Sequence, residues 1–133
     1  MDVDFAFLCD YAEVGNKIYA LGIGFDTIMA PNVPATHPLL YVVIQFRAAV
    51  GEAGQKNLEV NLIDEDGNAV VPTIRQQINV PSPTAGVNSL GRLALAFRNV
   101  QFPRYGSYSI HVAIDNTQIQ RLSLRVAPPP STT

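Results

Sequence analysis

Cysteine, tryptophan and charge are what this chain has least of. Its 133 residues include one cysteine, Cys9, and no tryptophan, and only 15% are Asp, Glu, Lys or Arg. A lone thiol cannot close an internal disulfide, so a cystine-stapled scaffold is excluded. Long apolar runs are missing too. The longest, Leu39 to Ile44, is about a third of the ~18 residues that a membrane span needs. No stretch of ten or more residues keeps a helical period, which excludes a coiled coil. The opening Met1-Asp2-Val3-Asp4 is acidic, whereas a secretory signal starts basic and continues apolar. The expectation from these absences is a cytoplasmic protein with no membrane contact and no cofactor.

Apolar residues are plentiful, at 47%, and they come with ten prolines and nine glycines. That composition is too apolar for a disordered chain and punctuated by frequent turns. A domain of this length buries roughly two-thirds of the surface that its unfolded chain exposes, enough for a core without a metal. The expected organisation is one domain over residues 1–127 and a Pro-rich tail over 128–133. There Pro128-Pro129-Pro130 favours an extended polyproline II conformation.

Every-other-residue alternation recurs along the domain and predicts strands. Phe5, Phe7, Cys9 and Tyr11 share one face of the first, and Tyr19, Leu21, Ile23 and Phe25 one face of the second. In that second phase Ala20, Gly22 and Gly24 form a flat opposite face, which the rest of the fold is expected to cover. Leu40, Val42, Ile44 and Phe46 follow, then Leu58, Val60 and Leu62, then Ile74, Ile78 and Val80, then Leu93, Leu95 and Phe97. A last hairpin sets Tyr108, Ile110, Val112 and Ile114 against Leu122, Leu124 and Val126. Turn chemistry separates these runs at Val14-Gly15-Asn16-Lys17, at Pro31 to Pro38, at Asp64-Glu65-Asp66-Gly67-Asn68 and at Pro81 to Gly86. Seven to nine short strands predict an all-β antiparallel β-sandwich, immunoglobulin-like or C2-like. The run Gly106-Ser107-Tyr108 fits a corner at which a tyrosine hydroxyl ties to upstream backbone.

Charge is unevenly spread. Residues 1–69 carry three Lys/Arg against ten Asp/Glu, and residues 70–133 carry six Arg against Asp115 alone. Interleaved strands would mix these charges; two opposed faces would favour head-to-tail self-association or an acidic partner. The net charge of −2 gives no bulk attraction to nucleic acid.

Several segments carry a family resemblance. Phe5-Ala6-Phe7-Leu8-Cys9-Asp10-Tyr11-Ala12 runs through Gly15-Asn16-Lys17 into Ile18 to Ile28, and Leu62-Ile63-Asp64-Glu65-Asp66-Gly67, Gly106-Ser107-Tyr108 and Ile114-Asp115-Asn116 follow. Together these resemble a bacterial family of small proteins grouped as a domain of unknown function, over nearly the whole chain except the tail. The resemblance implies a stand-alone β-sandwich and supplies no catalytic residue.

Candidate sites are few. Asp64 and Asp66 could belong to a calcium loop, since hard cations take several oxygens from one flexible loop. The register fails for an EF-hand, because Ala69 stands where the sharp-turn glycine belongs and Arg75 where the bidentate Glu belongs. A hairpin turn is the simpler reading. Aspartates gathered from separate loops (Asp10, Asp26, Asp64, Asp66, Asp115) are a weaker metal alternative. His37, His111 and Cys9 lack metal-ligand spacing, and no nucleophile or phosphate-loop motif is present. The last hairpin offers a polar outer face of Ser109, His111, Arg121, Ser123 and Arg125. Pairing Ile110 with Leu124 and Val112 with Leu122 sets His111 opposite Ser123, with Arg121 and Arg125 diagonal to it. Such a patch binds a carboxylate or a phosphate, or is a solvated face with edge-protecting charge. The resulting expectation is a non-catalytic module for protein interaction or structure, acting on a protein partner or on itself. The alternative is a sandwich that binds a small anion or calcium.

Overall fold

The computed structural model describes residues 1–83 and 89–130. The expected 81–86 loop from Thr84 onward, and residues 131–133 of the expected tail, lie outside the described residues. Among the described residues ten strands form: β1 (Asp2–Cys9), β2 (Tyr11–Val14), β3 (Ile18–Leu21), β4 (Thr27–Met29), β5 (Ala35–Ala48), β6 (Gly54–Asp64), β7 (Ile74–Val80), β8 (Ser89–Phe102), β9 (Gly106–Ile114) and β10 (Thr117–Ala127). The count exceeds the expected seven to nine because the chain breaks at Asp10 and adds the short β4. A single 3₁₀ turn, Val50–Glu52, is the one helical element among the described residues.

The strands make a three-stranded antiparallel sheet, β1-β5-β8, and a five-stranded sheet, β4-β10-β9-β6-β7, with a separate β2-β3 ribbon. Within the larger sheet only β4 runs parallel to its neighbour. Alternation brings the inner faces of the two sheets together. Leu8, Leu40, Val42, Ile44, Phe46, Leu95 and Phe97 from one meet Leu58, Val60, Leu62, Ile110, Val112, Leu124 and Val126 from the other in one buried cluster. Each such side chain contributes about 1.5–3 kcal/mol by leaving water. The fold is thus all-β, with two layers sharing one core.

Two phases differ from the expected ones. Val3, Ala6 and Leu8 of β1 pack on the main cluster, and a register slip falls between Val3 and Phe5. Phe7 and Cys9 point the other way. With Ala12 and Val43 they build a second, smaller cluster on the outer side of the three-stranded sheet, joined by Ile18, Ala20, Tyr41 and Ala94. The β2-β3 ribbon covers this cluster as a partial third layer. Its hairpin tip is held by the Arg92 Nη1 donating to the Gly15 carbonyl at 3.4 Å. In β3 the small residue Ala20 therefore faces inward, while Tyr19 and Leu21 face out. Ile18 faces in beside it, so the covered side of β3 is apolar as well as the exposed side. Gly22 and Gly24 are not on a strand face at all: both hold positive φ in the turn after β3, at +70° and +95°, a conformation that glycine adopts at least cost. The Asp10 side chain occupies the place a Gly22 Cβ would need.

The loop expected to run to Pro38 ends earlier, because β5 starts at Ala35. Pro38 is tolerated inside β5 because β1 pairs with β5 only between Tyr41 and Arg47, so Pro38 has one strand neighbour and needs fewer donors. The tyrosine corner does form. The Tyr108 hydroxyl donates to the Arg104 carbonyl at 2.6 Å and receives the Arg104 N–H at 3.3 Å.

Candidate functional site

The β9–β10 hairpin places the polar face named above on the outside of the five-stranded sheet, but in a different register. Leu122 pairs with Ile110 and Leu124 with Tyr108, so His111 stands opposite Arg121, Ser109 opposite Ser123, and Ser107 opposite Arg125. The two-residue Asp115-Asn116 turn pairs Ile114 with Thr117, and a one-residue bulge between Gln118 and Gln120 then sets this register, which the even spacing of apolar residues cannot reveal. The same five residues still share one face, because a shift of two preserves the side-chain phase. On the far side of β9, Asn61 lies opposite His111 and Ile63 opposite Ser109.

The bulge also delivers a residue that the sequence pattern did not single out. Gln118 Oε1 lies 2.8 Å from His111 Nδ1, and His111 Nε2 lies 2.9 Å from Ser109 Oγ. This chain pins the imidazole from both sides, with Ser109 buried and His111 half-buried. Its floor is a shallow groove of about 340 Å³ lined by Ile63, Glu65, Ser107, Ser109, His111 and Arg121. Arg121, Ser123 and Arg125 stand exposed. Among the described residues neither arginine makes an ion pair, whereas Arg47 holds Asp4, Arg75 holds Glu59, and Arg104 holds Asp64 and Asp66.

The acidic reversal is a turn built around Asp64. One Asp64 oxygen accepts the Asp66 and Asn68 backbone N–H groups at 2.9 and 2.8 Å. The other accepts Arg104 Nη2 at 3.2 Å. The Asn68 N–H, then the Asp66 N–H and the Arg104 guanidinium hold the Asp64 carboxyl below its usual range against the opposing effect of burial. Asp66 meets the same guanidinium at 3.1 Å. The weaker alternative of aspartates gathered from separate loops does not form among the described residues: Asp115 caps the Asn57 N–H and faces Lys56, and Asp10 lies against Gly22. No group of three metal-ligating side chains comes together among the described residues. Cys9 is fully buried with its thiol toward the Tyr11 carbonyl at 3.5 Å, and burial pushes its pKa up. Burial and a raised pKa both keep such a thiol protonated and packed against its neighbours.

A second surface is apolar. Of the eight large apolar side chains that stand exposed among the described residues, seven lie between Phe5 and Met29. Tyr19, Leu21, Ile23 and Met29 are 65, 68, 57 and 61% exposed. Leu21 pairs with Tyr11 across the ribbon. Ile23 and Met29 then line a groove of about 520 Å³ together with Phe25, Ile28, Thr27 and His37. The Phe25 and His37 rings lie 6.4 Å apart. The only exposed charges on residues 10–29 are Asp10, Glu13, Asp26 and Lys17, so the rim is mainly acidic. In β3 the Ala20 side is covered, as expected, which leaves Tyr19 and Leu21 on the exposed side.

No helix among the described residues is long and apolar enough to cross a membrane. No curated protein matches the chain. Among solved structures, Pseudomonas fluorescens alkylpurine DNA glycosylase AlkC, bound to DNA containing an abasic site analogue, is similar at 6% identity and a TM-score of 0.48. The match covers 76% of this chain and 27% of the glycosylase. Residues 4–127 match the model of a family of unknown function, DUF6941. The span takes in every strand but the first residues of β1 and stops where the prolines begin, and the chain belongs to this family.

Proposed function

We propose that the protein is a non-catalytic interaction module of the cytoplasm that holds a protein partner on the outer face of the β2-β3 ribbon and the adjoining groove. The observation that carries this reading is the concentration of exposed apolar side chains between Phe5 and Met29. Scattered single apolar residues are ordinary on a protein surface, whereas a patch grouped on one element with a polar rim marks a contact site. Tyr19, Leu21 and Ile23 supply the aromatic and aliphatic anchors that interface centres use. The acidic rim of Asp10, Glu13 and Asp26 suits a partner with an apolar centre and basic flanks.

A photoreactive residue at position 21, with a second at position 77 on β7 as control, tests this in the native host. The expected result is one adduct from position 21, lost when Ile23→Lys is added, and none from position 77. Equal labelling from both positions would contradict the reading. Light scattering on the purified chain separates the two kinds of partner: a concentration-dependent dimer abolished by Ile23→Lys identifies a second copy, and a monomer at high concentration identifies a different protein.

A further inference from the structure

We propose that the outer face of the β9–β10 hairpin binds a phosphate group, free or carried on a side chain, between Arg121 and Arg125. This site is separate from the apolar surface and does not rest on it. Arg121, Ser123 and Arg125 share one face of β10, with His111, Ser109 and Ser107 opposite them on β9. The two arginine Cα atoms are about 13 Å apart on a strand rising ~3.3 Å per residue. Ser123 lies midway, so both guanidinium groups can bend over one anion above its hydroxyl. Arg125 lies against Thr27 of β4, so it does not guard a free edge. The edge-protecting reading of its charge fails there.

Charge supports the same conclusion. These are two unneutralised cations on one face of a chain whose net charge is −2. Two carboxylates lie close by, and among the described residues neither forms an ion pair with these arginines: Asp26 Oδ1 accepts the Thr27 hydroxyl at 3.0 Å, and Glu65, which lines the same groove as Arg121, accepts the Ser107 N–H on Oε1 at 3.4 Å. The Ser107 and Ser123 hydroxyls donate to no partner among the described residues, and so are free to meet a ligand. His111 is a positioning residue: with both ring nitrogens engaged by Ser109 and Gln118, it forms a fixed floor beside Arg121. Two guanidinium forks plus hydroxyls from both strands exceed what a two-oxygen carboxylate accepts. They match three terminal oxygens and a charge near −2, as a phosphate presents.

The test is calorimetric titration of the full chain with inorganic phosphate, with phosphoserine and with acetate at fixed ionic strength. Phosphate or phosphoserine is expected to bind, and acetate to bind at least about 10-fold more weakly. Arg121→Gln and Arg125→Gln should each weaken phosphate by about 10-fold or more, while Arg75→Gln changes it by less than about 2-fold. Both substituted arginines are exposed and unpaired, so the fold does not depend on either. Tighter phosphoserine assigns the site to a modified protein, and tighter inorganic phosphate to the free ion. No heat with either, acetate binding as well as phosphate, or indifference to both Arg→Gln changes would overturn the proposal.

Discussion

Phe46 lies over Gly91, its directly paired neighbour on β8, and its ring fills the place that any Cβ at 91 would take. The ring is buried and cannot swing into solvent. Gly91→Ala should therefore cost about 1–3 kcal/mol by overpacking, read as a lower urea midpoint with an unchanged slope; an unchanged midpoint would show that the ring has room. Tyr108→Phe removes the bond to the Arg104 carbonyl and should cost about 1 kcal/mol in the same measurement. At the acidic turn, the folded pKa of Asp64 is lowered by its N–H donors and Arg104. Its carboxylate therefore adds stability above the unfolded value of about 3.9, and that stability is lost as pH falls through the folded value. Asp64→Asn should lower stability at neutral pH and flatten the acid limb of a melting-temperature profile. An acid limb of unchanged slope would mean that other carboxylates set it.

At the scale of elements, the sequence pattern was legible wherever one face of a strand meets the main core. The alternations in β5, β6 and β9 map directly onto buried residues. It misled where a strand has two apolar sides. In β1 both Phe7 and Leu8 pack, one on each cluster, and no residue pattern says which cluster is the larger. In β3 Ile18 and Ala20 face the small cluster while Tyr19 and Leu21 face out, and both sides carry apolar residues. For the β9–β10 site, face membership was readable from parity alone, while partners depended on a bulge carrying Gln118 into reach of His111. The ribbon's dependence on its small cluster is open to test. Ala12 is buried against Cys9 and Val43. Ala12→Asp would bury an unpaired carboxylate and should lift the ribbon before the core unfolds. Trypsin should then cut at Lys17 at least about 10-fold faster, with a smaller change in the main melting transition. Equal losses in both would make ribbon and sandwich one cooperative unit.

Across the whole molecule, folding pairs part of the charge that is unevenly spread along the sequence. Arg75 with Glu59, Arg104 with Asp64 and Asp66, and Lys56 with Asp115 each join the acidic and the basic half. Two local features stand beside these pairs: an acidic-rimmed apolar surface from the ribbon to β4, and two arginines that share one face of β10. The core is filled by side chains whose work is packing, so both proposed activities sit on the exterior. The most direct measurement is the affinity of the cross-linked partner, once isolated, for the wild-type chain and for Leu21→Lys. Leu21 is 68% exposed, so the change should leave the unfolding midpoint within about 0.5 kcal/mol of wild type. Binding should weaken by at least about 30-fold, as for a central anchor. An equally stable variant that binds the partner with unchanged affinity would contradict the assignment of this surface.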